Sequence, residues 1–207
     1  MTKKNLVWPD YENCLANLPN SILNYFGQPT VGSTLPLADK YLQKEYKNVV
    51  LLLLDGMGQR ILDSCLEEQG LFRKNLAGTY RSVFLSTTVA ATTSAMSGLQ
   101  PCEHSWLGWE CYYPQVNENV TVFFNTIQGT EEPVADYNVP WTVTPYENVM
   151  NKIHEDLPQK DFEKYTDDVV KLSYCTGSGL IASDTCGSTS YGWYKKSNIP
   201  AKCKGIF

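Results

Sequence analysis

The run Val49-Val50-Leu51-Leu52-Leu53-Leu54, closed by Asp55-Gly56-Met57-Gly58, constrains this chain more than any other stretch. An unbroken aliphatic run of this length is short for a helix and shows no alternation of apolar and polar residues. Such runs suit a strand covered on both faces, as in a parallel sheet flanked by helices. The run stops at an acid set among glycines. The expectation is a buried strand that delivers the Asp55 carboxylate to its carboxyl end, where open α/β sheets build their sites.

Downstream of Gly58 the pattern alternates between helix and strand. Gln59 to Gln69 reads as an amphipathic helix with Ile61, Leu62, Cys65 and Leu66 on its apolar side and Gly70 as its stop. Ala77 to Leu85 is the second strand candidate, and Thr88 to Ser97 a helix rich in small residues closed by Gly98. Val120 to Phe124 is the third strand candidate. The order implies a right-handed βαβ crossover, hence an α/β fold with a mostly parallel sheet flanked by helices. Before the first strand, Tyr11 to Leu18 and Ser21 to Phe26 read as two short helices separated by Pro19, and Leu37 to Tyr46 as a solvated helix. Gly129 to Pro145 carries three prolines and reads as a loop. Tyr146 to Ile153 and Asp161 to Lys171 read as helices. From Ser173 the composition turns to Ser, Gly, Thr and Cys without periodicity, so the chain divides into a domain over 1–172 and a tail over 173–207. The tail reads either as a loop-rich extension or as sequence foreign to the domain.

At 207 residues the chain can bury a sizeable core. Its net charge of -5 argues against a general nucleic-acid surface, though not against phosphate esters, whose charge a bound metal can meet. The seven cysteines form no Cys-x-x-Cys pair, which favours free thiols in a reducing compartment over a zinc ribbon or a disulfide framework. No signal peptide is visible, and the longest aliphatic run is far too short to span a membrane. The expectation is a cytoplasmic protein with no membrane partner.

Two positions point to chemistry. Asp55, beside Gly56 and Gly58, can reach a metal or ligand at a strand end; its bland alternative is a cap on the next helix. Thr88, at the head of a helix, places a hydroxyl beside unpaired amides and the positive end of the helix dipole, both favourable to a phosphoryl group. Threonine needs a base or metal to become a nucleophile, and a metal held by Asp55 would serve. The bland alternative is that Thr87 or Thr88 is an N-cap.

The patterns "VVLLLLDGMG" and "VFLSTTVAATTSAMSGLQPCEHSWLGW" together resemble the alkaline phosphatase superfamily, in particular its nucleotide pyrophosphatase/phosphodiesterase branch. The resemblance covers roughly residues 46–125. It implies an alkaline phosphatase-like core, shortened to its amino-terminal half. It implies hydrolysis of a small phosphate ester or nucleotide through a phosphothreonine intermediate. Position by position, Asp55 matches a metal-ligand carboxylate and Thr88 the nucleophile, itself a metal ligand, with Thr87 as the fallback. Gly56, Met57 and Val89 are expected beside the substrate. His104 matches the histidine closing the Pro-x-x-His segment, which is structural rather than a ligand. The cofactor implied is a divalent metal, zinc first, two ions in complete members and one or none here.

This sequence departs from the pattern at several points. Leu85 stands where proline is usual, Ser105 where glycine is usual, and Ala91 where an Asn often holds a phosphoryl oxygen. The family's ligand set needs three histidines, against the two here, His104 and His154. No Asp-His dipeptide occurs; Ile181 to Gly187 echoes its strand with Thr185 in place of histidine, and reads as chance. Asp167 and Asp168 read as a solvated helix face. The expectation is therefore an incomplete hydrolase. Its rivals are an atypical one-metal enzyme, a phosphomonoesterase of the same superfamily, and a non-catalytic binder of phosphate esters. A sulfatase or phosphomutase relative ranks last, since the sulfatase Cys/Ser-x-Pro-x-Arg motif is absent. Trp106, Trp109, Tyr112 and Tyr113 read as core or lid packing before base stacking.

Overall fold

A computed structural model describes residues 9–46 and 49–155, the last two by backbone alone. Of these, 9–45 and 77–155 belong to one unit, and 46 and 49–76 to a second. The tail from 173 and the expected helix at Asp161 to Lys171 lie outside the described residues.

In the first unit, α1 (Asn17–Tyr25) is one helix where two were expected. Pro19 sits in its first turn, where the missing N–H has no intrahelical partner in any case, so it starts the helix instead of dividing it. The buried face of α1 is partly polar. Asn20 Nδ2 donates to the carbonyls of Ala16 and Gly98 at 2.9 and 2.8 Å, and its Oδ1 accepts from Val31 and Gly32 amides at 2.9 and 3.0 Å. Asn17 accepts from the Cys14 amide at 2.7 Å and donates to the Ser33 carbonyl at 3.0 Å, while Ser21 Oγ accepts from the Leu35 amide at 2.8 Å. These bonds strap the loop after α1 onto the helix. The chain then enters α2 (Pro36–Tyr41), which opens on a proline.

The helix expected at Thr88 to Ser97 is α5 (Thr88–Ser97), ended by Gly98 in a left-handed conformation with φ 77°. It is followed by α6 (Pro101–His104), whose capping box joins Gln100 and Glu103. α5 packs against α1, α6 and α8 (Val149–Glu155). This last helix begins three residues later than expected.

The sheet contains β1 (Glu110–Tyr113), β2 (Glu118–Thr121) and β3 (Thr126–Ile127), in that order and antiparallel throughout. Tyr113 and Val120 turn inward with Val122, Val89, Trp106 and Val139 to form a core, while Tyr112 turns to solvent. The parallel sheet expected from the sequence is not present among the described residues; helices and one small antiparallel sheet make a mixed α and β architecture. The third strand candidate survives only at its start. Beyond Thr121 the chain turns, with the Phe124 and Asn125 amides both bonded to the Thr121 carbonyl. Asn125, at φ 55°, secures the turn by donating to the Tyr137 carbonyl and accepting from the Val139 amide, both at 2.8 Å. The second strand candidate, Ala77 to Leu85, forms no strand. It makes one parallel bridge, in which the Leu15 amide meets the Arg81 carbonyl at 2.8 Å and the Arg81 amide the Asn13 carbonyl at 3.0 Å.

The proline-rich segment is not all loop. It contains α7 (Val139–Val143), with Pro140 in the first turn and the Asn138 side chain accepting from the Trp141 amide. As with Pro19, a proline in a first turn begins a helix.

In the second unit, Val49 to Leu54 is not a strand, and Val50 and Leu52 are exposed, at 51% and 44%. Its hydrogen-bonded structure is α3 (Gln59–Cys65) and α4 (Leu71–Lys74). The first of these is shorter than expected, ending before Leu66 reaches an extended conformation, and Ile61 on its apolar side is exposed. No helix among the described residues is long and apolar enough to cross a membrane.

Candidate functional site

The head of α5 is the best-defined of the expected chemical positions. Thr87 is the N-cap, in an extended conformation, and its hydroxyl oxygen accepts from the Ala90 amide at 3.2 Å. The same hydroxyl donates to the Leu107 carbonyl at 2.9 Å. Thr88 is therefore the first helical residue. It is half-buried. The amides of Thr88 and Val89 lie ahead of the intrahelical ladder, at the positive end of the helix dipole. The Val89 side chain is fully buried in the core, so any contribution it makes to a ligand comes from its backbone N–H.

The segment that receives the Thr87 hydroxyl is itself held. Ser105 ends α6 in a left-handed conformation. Trp106 is buried, with its amide bonded to His104 Nδ1 at 3.0 Å and its indole N–H to the Thr144 carbonyl at 2.8 Å. Tyr146 and Trp141 meet its ring edge-on. The Trp109 carbonyl accepts from the Val122 amide at 2.8 Å. Trp106 and Tyr113 are thus core residues. Trp109, on Phe123 and Phe124, and Tyr112 remain exposed.

His104 is 2% exposed and joins α6 to α5 through Ser94 Oγ, 3.0 Å from Nε2. Because Nδ1 accepts the Trp106 N–H, the ring proton of the neutral form sits on Nε2 and points at Ser94. A histidine in that tautomer cannot take a proton from the serine, so the pair is a structural tie and not a nucleophile with its base. Burial lowers the His104 pKa to about 4, against a smaller upward pull from the Ala90 carbonyl. The ring is neutral and engaged at both nitrogens, in agreement with the structural role expected of it.

Asp55 lies in the second unit and is exposed. Gly56 has φ 66°, a conformation that suits glycine, and Met57 is half-buried. Among the described residues no three His, Cys, Asp or Glu side chains gather as a metal-ligand set. With His104 committed elsewhere, the described residues do not by themselves fit a two-metal centre. The side chain of His154, and Asp167, Asp168 and the Ile181 to Gly187 segment, lie outside the described residues. The sequence offers Thr87 as a candidate cap, which is the role it takes; its bond to the Leu107 carbonyl has no local signal in the sequence.

No protein-family model, curated protein or solved structure matches this chain.

Proposed function

We propose that the chain is a metal-dependent hydrolase of small phosphate esters, of phosphodiesterase or nucleotide pyrophosphatase type, in which Thr88 is the nucleophile. The observation that carries this reading is the division of labour at the head of α5. Thr87 takes the capping role, which leaves Thr88 as the first helical residue, a position where backbone amides and the helix dipole favour an anionic phosphoryl group. Attack by the Thr88 oxygen on phosphorus would form a phosphothreonine and expel the alcohol or nucleotide, and water would then release phosphate or the remaining ester. Asp55 is assigned as a carboxylate ligand of a divalent cation, zinc by resemblance, and Gly56, Met57 and the Val89 amide as neighbours of the substrate. In this reading the chain's helices and sheet belong to an α/β fold related to the core of the alkaline phosphatase superfamily. A cytoplasmic setting is part of this reading; among the described residues Cys14, Cys65, Cys102 and Cys111 form no disulfide with one another.

The test is hydrolysis of a chromogenic phosphodiester with added zinc, for the unaltered chain and Thr88→Ala. Loss of a nucleophile is expected to lower turnover by at least ~10³-fold. Equal turnover in the two proteins would defeat the reading. A second reading, a phosphate-ester binder without turnover, is favoured by the histidine count: the chain has two where the family's ligand set needs three, and one of them, His104, is a structural tie. Calorimetric binding of a non-hydrolysable phosphodiester, with no hydrolysis of the chromogenic one, would identify it.

A further inference from the structure

We propose that Thr87 is a positioning residue for Thr88, acting as donor as well as cap. The inference rests on the reading of Thr88 as the nucleophile. A cap needs only an oxygen that accepts from the third amide of the helix, and Asp or Asn supplies that. Thr87 does more. Its single hydroxyl proton goes to the Leu107 carbonyl at 2.9 Å while its oxygen holds the Ala90 amide at 3.2 Å. The two bonds use one short side chain whose β-branching already restricts its rotamers, so the backbone at 87 is fixed from both sides.

The far end of the anchor is as firm as the near end. Leu107 follows buried Trp106, which is tied to His104 and to the Thr144 carbonyl. It precedes Trp109, whose carbonyl is tied to Val122. Thr87 therefore bolts the first turn of α5 to a loop that the core holds in place. Thr88 is the next residue, and its hydroxyl direction is inherited from that junction. An in-line attack is sensitive to small misplacements of the attacking atom. The consequence of losing the anchor is a slower chemical step with substrate binding largely kept.

The test compares Thr87→Val, which loses both bonds, Thr87→Gly, which loses the hydroxyl at little cost to helix capping, and Thr87→Ser, which keeps donor and acceptor. Kinetics use the zinc-supplemented chromogenic phosphodiester, with thermal melts as the folding control and the Ala90 amide followed by hydrogen exchange. The expected result is a fall in kcat of about tenfold or more in the Val and Gly variants, with KM changed by less than about threefold. The Ser variant should recover kcat to within about threefold of the unaltered chain. Exchange at Ala90 should quicken in Thr87→Val and not in Thr87→Ser. Unchanged kcat in both Val and Gly variants, where Thr88→Ala is inactive, would overturn this proposal alone. So would a change confined to KM, or undiminished protection of Ala90 in Thr87→Val. An unaltered chain with no zinc-dependent turnover would overturn both this proposal and the reading of Thr88.

Discussion

Polar side chains are buried in the first unit, while aliphatic ones stand in solvent in the second. Asn20 is 1% exposed and His104 2%, whereas Leu52 is 44% and Val50 51% exposed. No described residue of the second unit is buried. The difference lies in partners. Asn20 places both ends of its amide against four backbone groups, and His104 satisfies both ring nitrogens. Buried polar groups persist when every donor and acceptor is met. An aliphatic run gains only from area removed from water, and within Val49 to Leu54 the side chains of Val50 and Leu52 leave about half of theirs exposed. Residue type alone therefore ranks these two regions in the wrong order.

The largest expected effect comes from removing the partner-rich side chain. Asn20→Ala strips bonds from the Ala16 and Gly98 carbonyls and the Val31 and Gly32 amides. At about 1 kcal/mol for each bond, the loss is about 4 kcal/mol, read from denaturant unfolding. Asn24→Ala, at an exposed position of the same helix, should cost less than about 0.5 kcal/mol. Equal effects at the two positions would break the contrast.

His104 gives the next effect, through pH. In the unfolded chain the ring takes up a proton below about 6.5, whereas in the folded chain it does so only near 4. The unfolded state thus binds more protons between those values, so stability is full above pH 6.5 and is lost as pH falls through about 4. The drop corresponds to about 3 kcal/mol. Melting temperature measured from pH 7 to 4 should fall, and the part due to this ring should vanish in His104→Gln. A slope through this window that the variant leaves intact would place its origin elsewhere.

These two regions also show why some elements were readable and others were not. The helix at Thr88 to Ser97 was legible because its signals are local: a threonine cap at one end, Gly98 at the other, small residues between. Prolines at 19 and 140 were misread because their effect depends on position within a turn, which the sequence does not mark. The strand expected at Val49 to Leu54 depended on neighbours from elsewhere in the chain, and aliphatic content does not name them. Of the site, Thr88 was legible as a helix head. The donor role of Thr87 was not, because its partner is a backbone carbonyl twenty residues away.

Gly98 tests the same packing from the other side of Asn20. Its φ of 77° is left-handed, and an added Cβ would stand 3.0 Å from Asn20 Nδ2 and 3.1 Å from Val31 Cγ2. Gly98→Ala should cost about 2 kcal/mol, from the backbone conformation together with the crowding. Gly27→Ala, with φ 73° and open space around it, isolates the backbone part at about 1 kcal/mol. A Gly98→Ala loss no larger than that of Gly27→Ala would mean that the Asn20 amide yields easily, which would weaken the claim that it is held on all sides.

The smallest effect is the one that bears most directly on the second unit. Leu52→Ala should cost no more than about 1 kcal/mol, because a side chain this exposed has little transfer free energy to lose. A truncation in a closed core costs about 2–5 kcal/mol instead. Urea unfolding of Leu52→Ala and of Val89→Ala, whose side chain is fully buried, places both on one scale. A small loss at 52 beside a large one at 89 would leave the run as a half-solvated segment. Comparable losses would show that the Leu52 side chain is covered in solution, and would break the contrast between the two regions.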